Sequence, residues 1–79
     1  MSDLILLGKK ISDSGMTMVA IAQKSGITRE TLYNKLKGHG EFKASEIIGL
    51  TRTLRLSTED RDVIFFDSWS ELNSQKKFS

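Results

Sequence analysis

Apolar residues recur along this chain at three- and four-residue intervals, the spacing that places side chains on one face of an α-helix. Leu4, Leu7 and Ile11 form the first such series, and Gly15 follows where that helix would end. Similar short series follow, separated by polar or glycine-containing segments. The pattern predicts five short helices: one over about 3–13, one of about eight residues between Thr17 and Gly26, one over 28–37, one over about 44–54, and one that starts after Ser57.

The fourth predicted helix has the widest apolar face. Ile47, Ile48, Leu50 and Leu54 lie along it, and we expect all four to be buried. The chain has 79 residues and no proline, which favours helices over long loops. The sequence therefore predicts an all-α fold, a compact bundle of about five short helices over 1–69. The periodic pattern is lost beyond that point, and we expect 70–79 to be a flexible tail.

Charge is divided unevenly along the chain, although the formal net charge is only +2. Residues 1–56 hold nine Lys and Arg against five Asp and Glu, whereas residues 57–79 hold three against five. A basic first part indicates a polyanionic partner for one of its faces.

Composition argues against several function classes. The chain has no cysteine and a single histidine, His39, so we expect no metal site and no cofactor. No Ser or Thr has a histidine–carboxylate pairing that would activate it, and we predict that the protein is not an enzyme. The apolar run near the start, Leu4–Leu7, is too short to span a membrane. We expect a soluble protein of the cytoplasm.

One spacing points to a particular supersecondary motif. Ala22 is followed at +4, +5 and +10 by Gly26, Ile27 and Leu32. A small residue allows a second helix to approach, and glycine adopts the left-handed conformation that a sharp turn requires. The two apolar residues then fill the corner and the core. Together they predict a helix-turn-helix over about 17–37.

The segment TMVAIAQKSGITRETLYNKLKG, residues 17–38, resembles the helix-turn-helix of the lambda-repressor/Cro-like (XRE-type) DNA-binding domains. The run FKASEIIGLTRTLRLSTEDRDVIFF, residues 42–66, is similar to the continuation in small phage-type regulators. The resemblance covers roughly 4–66. It implies a lambda-repressor-like fold and a sequence-specific DNA-binding regulator, a phage Cro-type repressor of a lysis–lysogeny switch.

The resemblance also implies which residues contact DNA. The helix over 28–37 would be the recognition helix, with Arg29, Glu30 and Asn34 at base edges in the major groove. These side chains suit guanine, cytosine and adenine respectively. The expected contacts to the DNA backbone are Thr17, Thr28, Tyr33, Lys35, Lys37, His39 and Lys43.

The last predicted helix has more apolar residues than one face can bury. We expect Val63 and Phe66 in the core, and we predict an interface for a dimer or another partner at Ile64, Phe65 and Trp69. The alternative is that Trp69 folds back and closes the end of the core.

These expectations combine into one functional prediction and one alternative. A homodimer would place two recognition helices about 34 Å apart on a near-palindromic operator and repress by occupying a promoter. The alternative is a phage antirepressor or modulator that binds a repressor protein through the same fold. Glu30, the low net charge, and Met18, where the family often has a phosphate-binding glutamine, favour that alternative.

Overall fold

The computed structural model describes residues 3–66. Within this range the chain forms five α-helices and no strand. The all-α bundle predicted from the apolar pattern is confirmed, and the helices begin and end close to the predicted positions. They are α1 Leu4–Asp13, α2 Met18–Ser25, α3 Arg29–Leu36, α4 Ala44–Leu54 and α5 Thr58–Phe65.

Four of the helices begin at a residue whose side chain accepts a hydrogen bond from the backbone N–H three positions further on. The capping residues are Asp3, Thr17, Thr28 and Ser57, at oxygen–nitrogen distances of 3.0–3.1 Å. Such a cap satisfies an amide that has no partner within the helix, typically worth about 1 kcal/mol. Short polar caps therefore set the starts of these helices.

Each helix contributes one large side chain that has no exposed surface at all. These are Leu7, Ile21, Leu32, Leu50 and Ile64, in chain order. They form one core in the middle of the bundle, surrounded by partly buried apolar residues from the helices and loops. A single small core holds all five helices in place.

The helices α2 and α4 come into backbone contact at Gly49. A Cβ atom at this position would overlap the carbonyl oxygen of Ser25 at the end of α2. Beside this contact the Ser25 hydroxyl donates a hydrogen bond to Oγ1 of Thr53, at 3.1 Å. The sequence predicted a close approach only at Ala22, which is indeed buried. Gly49 lies inside an apolar series, and nothing in the sequence pattern shows that a close contact between helices requires a glycine there.

The first and last helices hold the two ends of the described chain together. The backbone N–H of Asp3 donates to the carbonyl oxygen of Ile64 at 2.7 Å. Lys10 of α1 forms an ion pair with Asp60 of α5 at 2.8 Å. The hydrogen bond that Lys10 donates to the Asp60 carboxylate lowers the pKa of Asp60 below its ordinary value.

The predicted burial is wrong at one position of α4 and one of α5, whereas Ile47 and Leu50 are buried as predicted. Ile48 of α4 was expected to be buried but is 58% exposed, and Val63 of α5 is 39% exposed. On α5 the buried residues are Ile64 and Phe65 instead. The ring of Phe65 packs edge-to-face against Phe42, with centroids 5.4 Å apart. Because α5 has only eight residues, this tertiary contact, which the pattern could not reveal, helps to decide its rotation.

Candidate nucleic-acid interface

The turn between α2 and α3 consists of Gly26, Ile27 and Thr28. Gly26 has a φ of +79°, in the left-handed region, and the N–H of Ile27 donates to the carbonyl oxygen of Ala22 at 3.0 Å. Ala22 and Leu32 are buried on either side of the turn, and Ile27 packs against the core. The conformation predicted for the glycine and the predicted burial of its apolar neighbours are confirmed. Leu32 fixes α3 with one face inward.

The opposite face of α3 is open to solvent. Arg29, Glu30, Tyr33, Asn34 and Lys37 are all exposed and together line a shallow depression. The last four follow Arg29 by one, four, five and eight positions, and this spacing places all five along one side of the helix. The structure therefore brings together the three predicted base-contacting residues, Arg29, Glu30 and Asn34, with two of the predicted backbone contacts.

Arg29 lies along this face and contacts Tyr33. The guanidinium carbon lies 5.4 Å from the centroid of the tyrosine ring. A cation–π contact of this kind at an exposed site contributes about 0.5–1 kcal/mol. It favours one arrangement of the arginine side chain on the outer face of α3, with its guanidinium over the aromatic ring.

The other residues predicted to contact the DNA backbone differ in how free their side chains are to bind an anion. Lys37, His39 and Lys43 are exposed around the loop that follows α3. Thr17 and Thr28 are exposed residues, but their hydroxyl oxygens already cap α2 and α3. Thr28 also donates its hydroxyl proton to Oγ1 of Thr31, at 2.8 Å. The lysines and the histidine are therefore the better placed of these groups for contact with an anion.

Lys35 does not belong to the exposed face, and its ion pair argues against the predicted contact with the DNA backbone. Its ammonium nitrogen forms an ion pair with Glu46 of α4 at 2.5 Å, and the two side chains are only 12% and 11% exposed. The same ammonium lies 5.8 Å from the ring centroid of Phe42. Lys35 follows Leu32 by three residues, which turns its side chain toward the body of the protein. It cannot reach a phosphate without breaking this pair.

Glu46 is held as a carboxylate by several groups. Burial raises its pKa, but hydrogen bonds from the Lys35 side chain and from the Lys43 backbone N–H lower it, together with the charges of both lysines. The net effect is a pKa below the ordinary 4.5. The Lys43 N–H lies just before the first residue of α4. Its hydrogen bond to the Glu46 carboxylate, at 2.8 Å, gives this N–H a partner. Glu46 thus joins the start of α4 to the inner edge of α3.

The predicted partner interface on α5 is not a surface in this structure. Ile64 has no exposed area and Phe65 is 9% exposed, because both side chains complete the core. Neither is available to a partner while α5 keeps this position, so the interface prediction is wrong for both. Trp69, the third residue of that prediction, lies outside the described residues, as does the predicted tail.

Residues 3–66 also bear on the possibility of a metal site and of a membrane span. Among residues 3–66, no three His, Cys, Asp or Glu side chains come together as a metal site would require. Within the same range, no helix has the length and apolar content to cross a membrane.

No protein-family model matches the chain, and no curated protein or solved structure matches it either.

Proposed function

We propose that this chain is a sequence-specific DNA-binding transcriptional regulator, a phage Cro-type repressor that acts in the bacterial cytoplasm. The observation that carries the proposal is the division of α3 into two faces. Its inner face is held by Leu32 and by the Lys35–Glu46 ion pair. Its outer face presents Arg29 and Asn34, side chains able to make paired hydrogen bonds with base edges, without an apolar cover.

The dimensions and chemistry of α3 suit the major groove. An α-helix with its side chains is about 10–12 Å across, and the major groove of B-DNA is about 12 Å wide. Arg29 can donate to the two acceptors of guanine, Asn34 can pair with adenine, and Glu30 can accept from the amino group of cytosine. We assign base discrimination to these three residues.

Affinity would come from the cations beside this face. Lys37, His39 and Lys43 are exposed after the end of α3 and are assigned to phosphates. The binding of a dimer would place two copies of α3 one helical turn apart, about 34 Å, on a near-palindromic operator. Because Lys35 is engaged with Glu46, each copy offers one phosphate contact fewer than the sequence suggests.

The loss of Lys35 also supports a second candidate. With fewer free cations beside α3 and a carboxylate, Glu30, on its outer face, the same surface suits a protein partner. Tyrosine and arginine, here Tyr33 and Arg29, are frequent anchors of protein interfaces. The second candidate is therefore an antirepressor or modulator that binds a repressor protein through α3.

Selection from a random pool of DNA duplexes tests the choice. The proposal predicts enrichment of a near-palindromic sequence, with a specific affinity at least about 10³ above that for unselected DNA. It also predicts that the logarithm of the binding constant falls steeply as the logarithm of salt concentration rises. Weak binding with no enriched sequence would contradict it, and capture of a repressor by the same protein would then favour the second candidate.

A further inference from the structure

A second depression lies where the ends of α1, α2 and α4 meet, and it shares no lining residue with the depression on α3. Its volume is about 350 Å³, within the range of about 300–1,000 Å³ that is usual for small-ligand sites. Two cations, two hydroxyl residues and two apolar residues line it: Lys24, Arg55, Ser14, Thr53, Met16 and Leu54. These six residues are called the α1–α2–α4 depression below.

The two cations of this depression are unpaired within the described chain. Lys24 and Arg55 are exposed, and neither forms an ion pair among residues 3–66. The Lys24 ammonium contacts the thioether sulfur of Met16 at 3.7 Å, which places it beside another lining residue. Because a thioether is a weak acceptor, this contact leaves the ammonium available to a ligand. The described lining therefore holds two positive charges and no carboxylate.

The backbone of Arg55 gives an independent reason to assign its side chain a role. Arg55 ends α4 with a φ of +53°, in the left-handed region. Four other residues among 3–66 have a positive φ, and all four are glycines. An arginine in this conformation costs free energy that a glycine would not. The favourable interaction of a cation with the C-terminal end of a helix is typically smaller than this cost, so it does not account for an arginine here.

We propose that the α1–α2–α4 depression binds a phosphate group, held by Arg55, Lys24 and the hydroxyl of Thr53. The planar fork of arginine donates two parallel hydrogen bonds to phosphate oxygens, and lysine supplies a compact charge. Oγ1 of Thr53 accepts a hydrogen bond from Ser25 at 3.1 Å, so its own proton remains for a ligand. A phosphate monoester carries nearly two negative charges and three acceptor oxygens, which suits two cations and one hydroxyl better than a singly charged carboxylate does.

Two sources supply this chemistry, a small phosphorylated compound and the backbone of DNA. The depression is large enough for a phosphate with a further group attached, and Met16 and Leu54 offer that group an apolar surface. Either source leaves the outer face of α3 free, because no residue lines both depressions. Phosphate binding here therefore does not depend on base recognition there.

A titration of the full chain with inorganic phosphate, followed by NMR at constant ionic strength, tests the proposal. We expect saturable shifts at Lys24, Thr53 and Arg55. Arg55→Gly should raise the dissociation constant by about tenfold or more, since it removes charged hydrogen bonds. The same substitution relieves the left-handed conformation, so the thermal stability without phosphate should be kept or raised. A loss of binding in this variant therefore cannot be a loss of folding.

Arg52→Gln is the matched control, because Arg52 is an exposed arginine in the last turn of α4 that does not line the depression. It should leave the dissociation constant for phosphate unchanged, whereas Lys24→Gln should raise it. Titration with an unselected DNA duplex separates the two sources. If Arg55→Gly also weakens binding of the duplex, the DNA backbone supplies the phosphate; a loss restricted to inorganic phosphate indicates a small compound.

Three outcomes would overturn the proposal. Shifts that do not saturate, or that spread over all exposed cations, would show only general screening of charge. An Arg55→Gly protein that binds phosphate as the wild type does, or an equal loss in Arg52→Gln, would show that Arg55 does not form a site. Saturable binding of acetate as tight as that of phosphate would assign the depression to a carboxylate.

Discussion

The ammonium nitrogen of Lys35 lies 2.5 Å from a carboxylate oxygen of Glu46, and this ion pair joins the inner edge of α3 to the first turn of α4. The pair lies opposite the face to which we assign DNA contacts. A cation that the sequence suggests for contact with DNA therefore holds α3 against α4 instead.

Replacement of Lys35 should reduce stability. Lys35→Met leaves the mostly buried Glu46 carboxylate without its partner. The free energy of unfolding should fall by about 1–3 kcal/mol, between the cost of breaking an exposed ion pair and that of breaking a fully buried one. Urea denaturation at pH 7 measures it. Lys37→Met, on the exposed face of the same helix, is the matched control and should change the free energy of unfolding by less than about 0.5 kcal/mol. Equal effects of the two substitutions would contradict the assignment of Lys35.

The lowered pKa of Glu46 predicts a pH dependence of stability. A carboxylate whose pKa is lower in the folded state than in the unfolded state stabilises the fold above its unfolded pKa, here about 4.5. That contribution is lost as pH falls through the folded pKa. The difference in unfolding free energy between the wild type and Glu46→Gln should therefore be largest near neutral pH and shrink below about 4.5.

Denaturation curves collected from neutral to acidic pH measure this difference. The exposed Glu41→Gln substitution should cost less than about 0.5 kcal/mol at pH 7 and serves as its control. A difference for Glu46→Gln that stays constant down to the lowest pH would show that the carboxylate is not held in its charged form.

Gly49 should tolerate no side chain. Alanine is the better helix former by about 1 kcal/mol, but a methyl group at Gly49 would overlap the carbonyl oxygen of Ser25. We expect Gly49→Ala to destabilise by about 1–3 kcal/mol through overpacking. Gly8→Ala in α1 meets no atom within 4 Å and should stabilise by about 0.5–1 kcal/mol. Thermal unfolding of the two variants should therefore shift in opposite directions; a shift in the same direction would argue against the contact between α2 and α4.

Lys37 should contribute to DNA affinity without regard to sequence. Its exposed ammonium is assigned to a phosphate, so Lys37→Ala should weaken binding to selected and unselected duplexes alike and lower the salt slope by about one unit. Lys9→Ala, an exposed lysine of α1 with no assigned role, is the control. A loss of affinity confined to the selected sequence would indicate that Lys37 contacts a base and not a phosphate.

The sequence alone predicted the helices well because local chemistry determines where they begin and end. Thr17 and Thr28 cap their helices, and Gly26 has the left-handed conformation that its position after Ala22 required. These signals lie within a few residues of the feature they determine. The burial of Ala22 and Leu32 followed from the same short pattern.

What the sequence did not reveal depends on contacts between distant residues. The rotation of α5 depends on packing of Phe65 against Phe42, a residue that lies before α4 and far from Phe65 in the chain. Lys35 was grouped with its neighbouring lysines because its partner, Glu46, lies eleven residues away. One signal was available: Lys35 follows Leu32 by three residues, where an apolar residue is usual, so its position facing inward was predictable in part.

The most direct measurement of the central claim is the base preference of Arg29→Ala, determined against every single-base variant of the selected operator. If the outer face of α3 enters the major groove, the substitution should cost about 1–3 kcal/mol and remove discrimination at one base pair of each half-site. Preference at the other positions should be retained. An Arg29→Ala protein that ranks all operator variants as the wild type does would contradict the placement of α3 in the groove.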